Sequence, residues 1–190
     1  LLKNSMISLY RDYGGKMIFR EMAAGEACKV KMIDATCYIR NAWRMIDGKL
    51  QLVEIDWTDH ELPNGTEWHI ERFEKTVSGG GKAFGCFDNN VLVGYATVNS
   101  EIFGNSSRHV LLDQLFVSKD YRNCGIGKML FRICARQASE FGAEKLYLCA
   151  GSSEATIAFY KRLGCVRALE INQELLKEDP NDFQLEFNLR

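Results

Sequence analysis

The sequence predicts a single α/β domain built around a mixed sheet, and three observations carry that reading. The 190 residues are 46% hydrophobic and 26% charged, enough to bury one core of ordinary size. Two apolar runs, Ala83–Phe87 and Val91–Val98, flank Asp88-Asn89-Asn90, the composition of a tight hairpin turn. Beyond them strand and helix patterns alternate to the end of the sequence, an order that lays helices on a sheet.

Residues 1–16 are mixed in character and contain Gly14-Gly15, which reads as an N-terminal extension to a domain spanning 17–190. Met17-Ile-Phe-Arg20 opens a strand, and a helix is expected from about Ala23 to Tyr38. Leu50–Ile55 alternates like a strand, and the turn-rich Asp59–Gly65 follows it. Thr66 is placed to cap a helix over Glu67–Val77 with Trp68, Ile70, Phe73 and Val77 on its apolar face; His69, beside Trp68, is expected at the surface. Gly79-Gly80-Gly81 ends that helix. After the hairpin come a strand at Val110–Val117 and a helix over Gly125–Phe141, apolar at Ile126, Met129, Leu130, Ile133 and Ala138, which Gly142 stops. Strand Lys145–Cys149, helix Ser153–Leu163 with Gly164 at its end, strand Cys165–Leu169 and a last strand Phe183–Leu189 complete the order.

Several function classes are disfavoured by composition. A net charge of −1 supplies no basic field for nucleic acid. The longest apolar runs fall far short of the roughly 20 residues that cross a bilayer, and no charged-then-apolar leader is present, so no membrane role is expected. None of the seven cysteines forms a CxxC pair, which argues against a metal ribbon or a redox couple and for reduced thiols in a cytoplasm.

The chemistry concentrates in Asp113–Leu130. An apolar strand runs into Arg122-Asn-Cys-Gly-Ile-Gly127, and that loop opens a helix. Free backbone N–H groups and the positive end of the helix dipole suit a phosphate or pyrophosphate there. A nucleoside-triphosphate loop needs GxxxxGK[ST], but Met129 follows Gly127-Lys128 and Arg122 occupies the first glycine position. A dinucleotide loop needs a third small residue where Leu130 stands, and it belongs at the first strand–helix turn.

The pattern that does fit is Arg-x-x-Gly-x-Gly, filled by Arg122, Gly125 and Gly127, after a strand with Leu115 and Val117. Downstream, Ser153-Glu-Ala-Thr-Ile-Ala-Phe159-Tyr160 leads into Gly164-Cys165. Together these resemble the two signatures of the GNAT superfamily of N-acetyltransferases, in the right order and spacing. The resemblance covers residues 17–189, with the motifs concentrated in 110–165. It implies a mixed, mostly antiparallel central sheet flanked by helices, with acetyl-CoA as cosubstrate, an amine as acceptor, no metal, and a homodimer among the assemblies open to it.

It further implies that Arg122, Asn123, Cys124, Gly125, Ile126, Gly127 and Lys128 bind the pyrophosphate, and that Leu115, Phe116 and Val117 pair with the pantetheine arm as an added strand. A backbone N–H near Leu115 or Phe116 would polarise the thioester, Ser153 would contact the cofactor and cap its helix, and Tyr160 would protonate the departing thiolate. The sequence departs from the family where Cys124 replaces a frequent glycine and Ser153 a frequent asparagine. Strict alternation puts Asp113 on the same strand face as Leu115 and Val117, which makes it a candidate base for the amine proton; a structural strand-end carboxylate is the plainer reading. Glu54, His60, His69 and His109 are weaker candidates. Glu54, Asp56, Asp59 and Glu61 around Trp57 could line an amine pocket or form a solvated acidic loop. Direct attack needs no nucleophilic residue, which leaves Cys124 incidental. The alternative class is a CoA-binding sensor without turnover.

Overall fold

The computed structural model describes residues 7–10 and 16–189, and most of the expected extension over residues 1–16 lies outside them. Strands β1 (Ile7–Tyr10), β2 (Lys16–Met22), β5 (Lys82–Asp88), β6 (Val91–Val98), β7 (His109–Val117), β8 (Lys145–Ala150), β9 (Val166–Arg167) and β10 (Phe183–Asn188) form one sheet in the order β1-β2-β5-β6-β7-β8-β10-β9. All its ladders are antiparallel except β7–β8. A separate antiparallel pair joins β3 (Cys37–Ile46) to β4 (Lys49–Asp59). The expected mixed, mostly antiparallel sheet flanked by helices is therefore observed.

Helices α2 (Ile126–Glu140) and α3 (Glu154–Leu163) cover one face, where Leu130, Phe131, Cys134, Ile157 and Tyr160 meet Val110, Leu112, Leu146 and Leu148. Helix α1 (Thr66–Ser78) and a 3₁₀ segment, Ala24–Met32, cover the other, packing Phe73, Ile70, Val30 and Ala27 on Tyr95, Leu92 and Ala83. A third, smaller cluster of Leu111, Tyr147 and Ala168 lies under α4 (Gln173–Glu178) and includes Leu175.

The structure corrects several sequence expectations. The helix expected over 23–38 is a shorter 3₁₀ segment; Ile33 is extended, and the Asp34 carboxylate accepts the Thr36 N–H at 2.9 Å, turning the chain into β3. The turn of the β3–β4 hairpin is Asp47-Gly48, both at positive φ (50° and 72°) as a two-residue hairpin turn requires, so the Asp-Gly pair is the signal that the sequence reading passed over. Gly65, not Thr66, occupies the cap position of α1, without a side-chain bond. His69 is 2% exposed: its Nε2–H donates to the Pro63 carbonyl at 2.8 Å, while Nδ1 accepts from the Tyr95 hydroxyl and the Gln114 amide, each at 3.1 Å. A histidine surrounded by aromatic residues is buried once both ring nitrogens are bonded, and this burial lowers its pKa and keeps it neutral. Helix α4 was not anticipated, and the strand expected over 165–169 shortens to Val166–Arg167.

No helix among the described residues is long and apolar enough to cross a membrane. Among those residues no His, Cys, Asp or Glu cluster is placed to hold a metal ion.

The exit from α1 is sterically tight. A Cβ at Gly81 would stand 2.6 Å from the Val98 carbonyl oxygen and 2.8 Å from that of Thr76, both fixed backbone atoms. Gly81→Ala is expected to cost about 1–3 kcal/mol by overpacking, measured as a lower denaturant midpoint at unchanged slope.

Candidate active site

One inserted residue opens the sheet. β7 pairs with β6 as Thr97↔Gln114 and then as Val98↔Leu112, so Asp113 is an extra residue in a β-bulge. On the other edge, the parallel ladder to β8 runs from His109↔Lys145 to Leu112↔Leu148 and stops, although β7 continues to Val117 and β8 to Ala150. Beyond the bulge the two strands part, leaving one edge of β7 open.

Register determines which backbone groups face this opening. Residues of an antiparallel pair alternate between bonding to the partner and pointing away from it. The Ser118 N–H donates to the Val93 carbonyl at 2.9 Å, so Phe116 and Gln114 bond to β6, and Leu115 and Val117 direct their N–H and C=O groups to the gap. The Val117 carbonyl, turned that way, accepts Arg122 Nε–H at 3.0 Å. Of the two N–H groups expected to face a thioester, Leu115 has the open one and Phe116 does not. The side chains of Leu115 and Val117 pack toward α2, whereas that of Phe116 stacks on Tyr95 on the α1 side.

The glycine loop follows directly. Asn123 and Gly125 take positive φ (61° and 82°), and α2 starts at Ile126 with no side chain capping it; the Met129 N–H closes the first bond, to the Gly125 carbonyl, at 3.0 Å. Asn123, Cys124, Gly125 and Lys128 are exposed, and Ile126 anchors the turn in the core. A Cβ on Gly125 would meet nothing within 4 Å, so the loop presents bare backbone outward, while Gly127 lies against Phe159. This is a geometry that an anion can approach.

Arg122 holds the loop in place and does not reach out from it. Its guanidinium donates to the carbonyls of Thr36 (2.8 Å), Ala35 (2.9 Å) and Val117 (3.0 Å). The Lys119 N–H adds a bond to the Asp34 carbonyl at 2.8 Å. The start of the loop is thus fastened to residues 34–36.

Ser153 caps α3: its hydroxyl oxygen accepts the Thr156 N–H at 3.2 Å, and its O–H donates to Thr156 Oγ1 at 2.8 Å. Tyr160 is 8% exposed, packed on Phe131 and Phe159, and its phenol pKa is raised by burial first and then by Cys165, Cys134 and Asp182. It stays protonated throughout the neutral range.

Asp113 is not on the face that alternation predicted. Because it is the bulged residue, its carboxylate turns to α1, opposite to the side chains of Leu115 and Val117. There Oδ1 accepts Arg72 Nε–H at 2.7 Å and lies 2.7 Å from Nη2, and the side chain is 2% exposed. Arg72 also reaches Glu178 on α4 at 3.1 Å and lies over the Trp68 ring, 4.8 Å from its centroid.

The sequence reading passed over Arg72 and Asp182. The first occupies the helical turn after Trp68, and the second lies in the unpatterned Asp179-Pro-Asn-Asp182. Asp182 has its pKa raised to about 6 by burial and by Asp179. Cys149, on the open stretch of β8, is pushed up to about 12 by burial and by the charges of Asp182, Glu178 and Asp113, which leaves it a poor nucleophile.

The acidic group on β4 does not gather into a pocket. Glu54 pairs with Arg40 (3.1 Å), Asp56 accepts the Tyr38 hydroxyl (2.8 Å), and Asp59 accepts the Trp57 indole N–H (2.6 Å). The hairpin instead leans on α3. The Trp43 N–H donates to the Ser152 carbonyl at 2.8 Å, and the Asn41 amide donates to Glu154 at 2.8 Å.

The sequence model of the Acetyltransferase (GNAT) family matches residues 49–165, more than half of the chain. No curated protein sequence matches it. The crystal structure of nourseothricin acetyltransferase is similar over 92% of this chain and 99% of its own, at 18% identity and a TM-score of 0.70. A protein from Bacillus anthracis str. Ames, assigned as a streptothricin acetyltransferase and solved with acetyl coenzyme A, covers the same shares at 14% identity and a TM-score of 0.66. The PaiA N-acetyltransferase from Thermoplasma acidophilum, solved with coenzyme A, is similar over 90% of this chain and 98% of its own, at 15% identity and a TM-score of 0.59.

Lysine can keep the charge of Arg122 but not its planar fork. Arg122→Lys is expected to lose about 2 kcal/mol, a fall of about 4–8 °C in Tm, with faster hydrogen exchange confined to the loop following β7.

Proposed function

The chain belongs to the GNAT acetyltransferase family, and from that premise we propose that it moves an acetyl group from acetyl-CoA to a primary amine of a small cationic molecule by direct attack. One observation carries the reading: the open edge of β7 leads straight into an uncapped, glycine-lined helix start. Backbone N–H groups of the loop Arg122–Lys128 donate to the pyrophosphate oxygens, and Leu115 and Val117 pair with the pantetheine arm as a missing strand would. The residues present fit this group, because the Gly125 Cβ position is open and the edge of β7 has main-chain donors and acceptors to offer.

The Leu115 N–H faces the thioester oxygen as it gains charge, a contribution of about 3 kcal/mol in comparable acyl transfers. Holding amine and thioester together supplies about 7–11 kcal/mol more. Tyr160, protonated at neutral pH, gives its proton to the departing thiolate. Cys149 is too high in pKa to form an acyl intermediate, which favours direct attack. The acceptor side is acidic: Asp113 is offset by Arg72, whereas Glu178, Asp179 and Asp182 leave a negative surplus that attracts a cation. Seven cysteines without a CxxC pair suit the reducing cytoplasm as its place of work.

A panel of amines with acetyl-CoA, read by thiol release, tests the reaction. Turnover of small polycationic amines is expected; tight acetyl-CoA binding with no amine turned over would overturn it. Gly125→Asp sets a side chain at φ 82° and a charge against the phosphates, and should abolish CoA binding in calorimetry. Tyr160→Phe should lower kcat about 10²-fold with little change in acetyl-CoA affinity.

A further inference from the structure

We infer that Asp182 is the catalytic base that takes the proton from the attacking amine, while Asp113, fixed as the partner of Arg72, has a positioning role. The inference rests on the acetyl-transfer reading above and assigns a residue that neither motif contains.

Position is the first argument. Asp182 immediately precedes Phe183, which pairs with Ala150, the last residue of β8, so it stands opposite Gly151 just past the stretch of β8 that diverges from β7. Its Oδ1 lies 4.0 Å from where a Gly151 Cβ would be, and Gly151 has no side chain to screen it from the opening. Asp179, from its own loop, is the charge that acts on it, and its own charge in turn reaches Cys149 on β8 and Tyr160 on α3. Cys149, on the stretch of β8 that has left the β7 ladder, feels the charges of Asp182, Glu178, Arg72 and Asp113.

Availability is the second. The Asp113 carboxylate is bonded to two nitrogens of Arg72 and hidden from solvent, so protonating it would break the closest ion pair of that guanidinium. Glu178 is tied to the same guanidinium. Asp182 receives no side-chain hydrogen bond among those found in the described residues, and burial, followed by the charge of Asp179, pushes its carboxyl up to about 6. A carboxylate retained despite its burial, and titrating near neutrality, suits a proton acceptor.

The step balances. The neutral amine nitrogen attacks the thioester carbon, forming the C–N bond and moving the carbonyl pair onto oxygen. A proton leaves nitrogen for an Asp182 oxygen, directly or through one water. The oxygen pair returns, the C–S bond breaks with its electrons on sulfur, and the thiolate takes a proton from Tyr160. Asp182 then releases its proton to solvent and Tyr160 regains one, leaving amide and free thiol.

The test compares wild type with Asp182→Asn across pH, using an amine that the wild type accepts. Taking the ratio of their kcat/KM values cancels ionisation of the amine itself. Near neutral pH the ratio should be about 10²-fold or more, and it should shrink tenfold per pH unit below about 6, where the wild-type carboxyl is protonated. Acetyl-CoA affinity should be unchanged. The sign of the stability effect differs from that of a structural carboxylate. Since the folded pKa is raised, the wild type loses stability as pH rises from an ordinary carboxyl range to about 6, so Asp182→Asn should melt higher near neutral pH. A ratio near one, or one that does not vary with pH, overturns the assignment. If Asp182→Asn fails to fold, Asp182→Ser is read by the same ratio. If the wild type turns over no amine at all, the acetyl-transfer reading itself falls and this inference with it, an outcome distinct from a variant that works as well as the wild type.

Discussion

The architecture of the site depends on a single extra residue in one strand. Asp113 shifts the β6–β7 register, and the parallel ladder to β8 ends beside it. A sheet whose strands stayed paired would satisfy its own backbone and offer nothing to a ligand. Here the N–H and C=O groups of Leu115 and Val117 face an opening. The same shift aims Asp113 at α1, where Arg72 neutralises it and reaches on to α4. Strand separation and the fixing of the helices that border it are thus two results of one insertion.

Electrostatics divides the opening into two halves. On the α2 side the uncapped helix start offers partial positive charge from the backbone, and Arg122 is spent on three carbonyls. On the α1 side carboxylates outnumber the one guanidinium they surround. The opening therefore has a partly positive end and a negative one.

Much of this was legible in the chain. The loop at Arg122–Lys128, the hairpin at Asn89-Asn90 and the cap at Ser153 follow from local chemistry, and all stand where the residues placed them. What escaped is non-local. Alternation cannot anticipate a bulge, so Asp113 was put on the wrong face; the insertion is visible only against the register of β6. His69 looked like a surface residue until Pro63, Tyr95 and Gln114, distant in sequence, supplied partners for both ring nitrogens. Asp182 lay in a segment without period or motif, and the pairing of β10 with β8 is what brings it beside Gly151. The Asp47-Gly48 turn and the Asn172 cap of α4 were local signals left unread.

The clamp made by Arg122 grips main-chain oxygens at Ala35 and Thr36, not their side chains. Any sequence that carries the chain along the same path would serve it equally well. The side chains of residues 35 and 36 are therefore free to change while the loop after β7 keeps its geometry. Such an attachment lets sequence vary on one side of a contact without rebuilding the other.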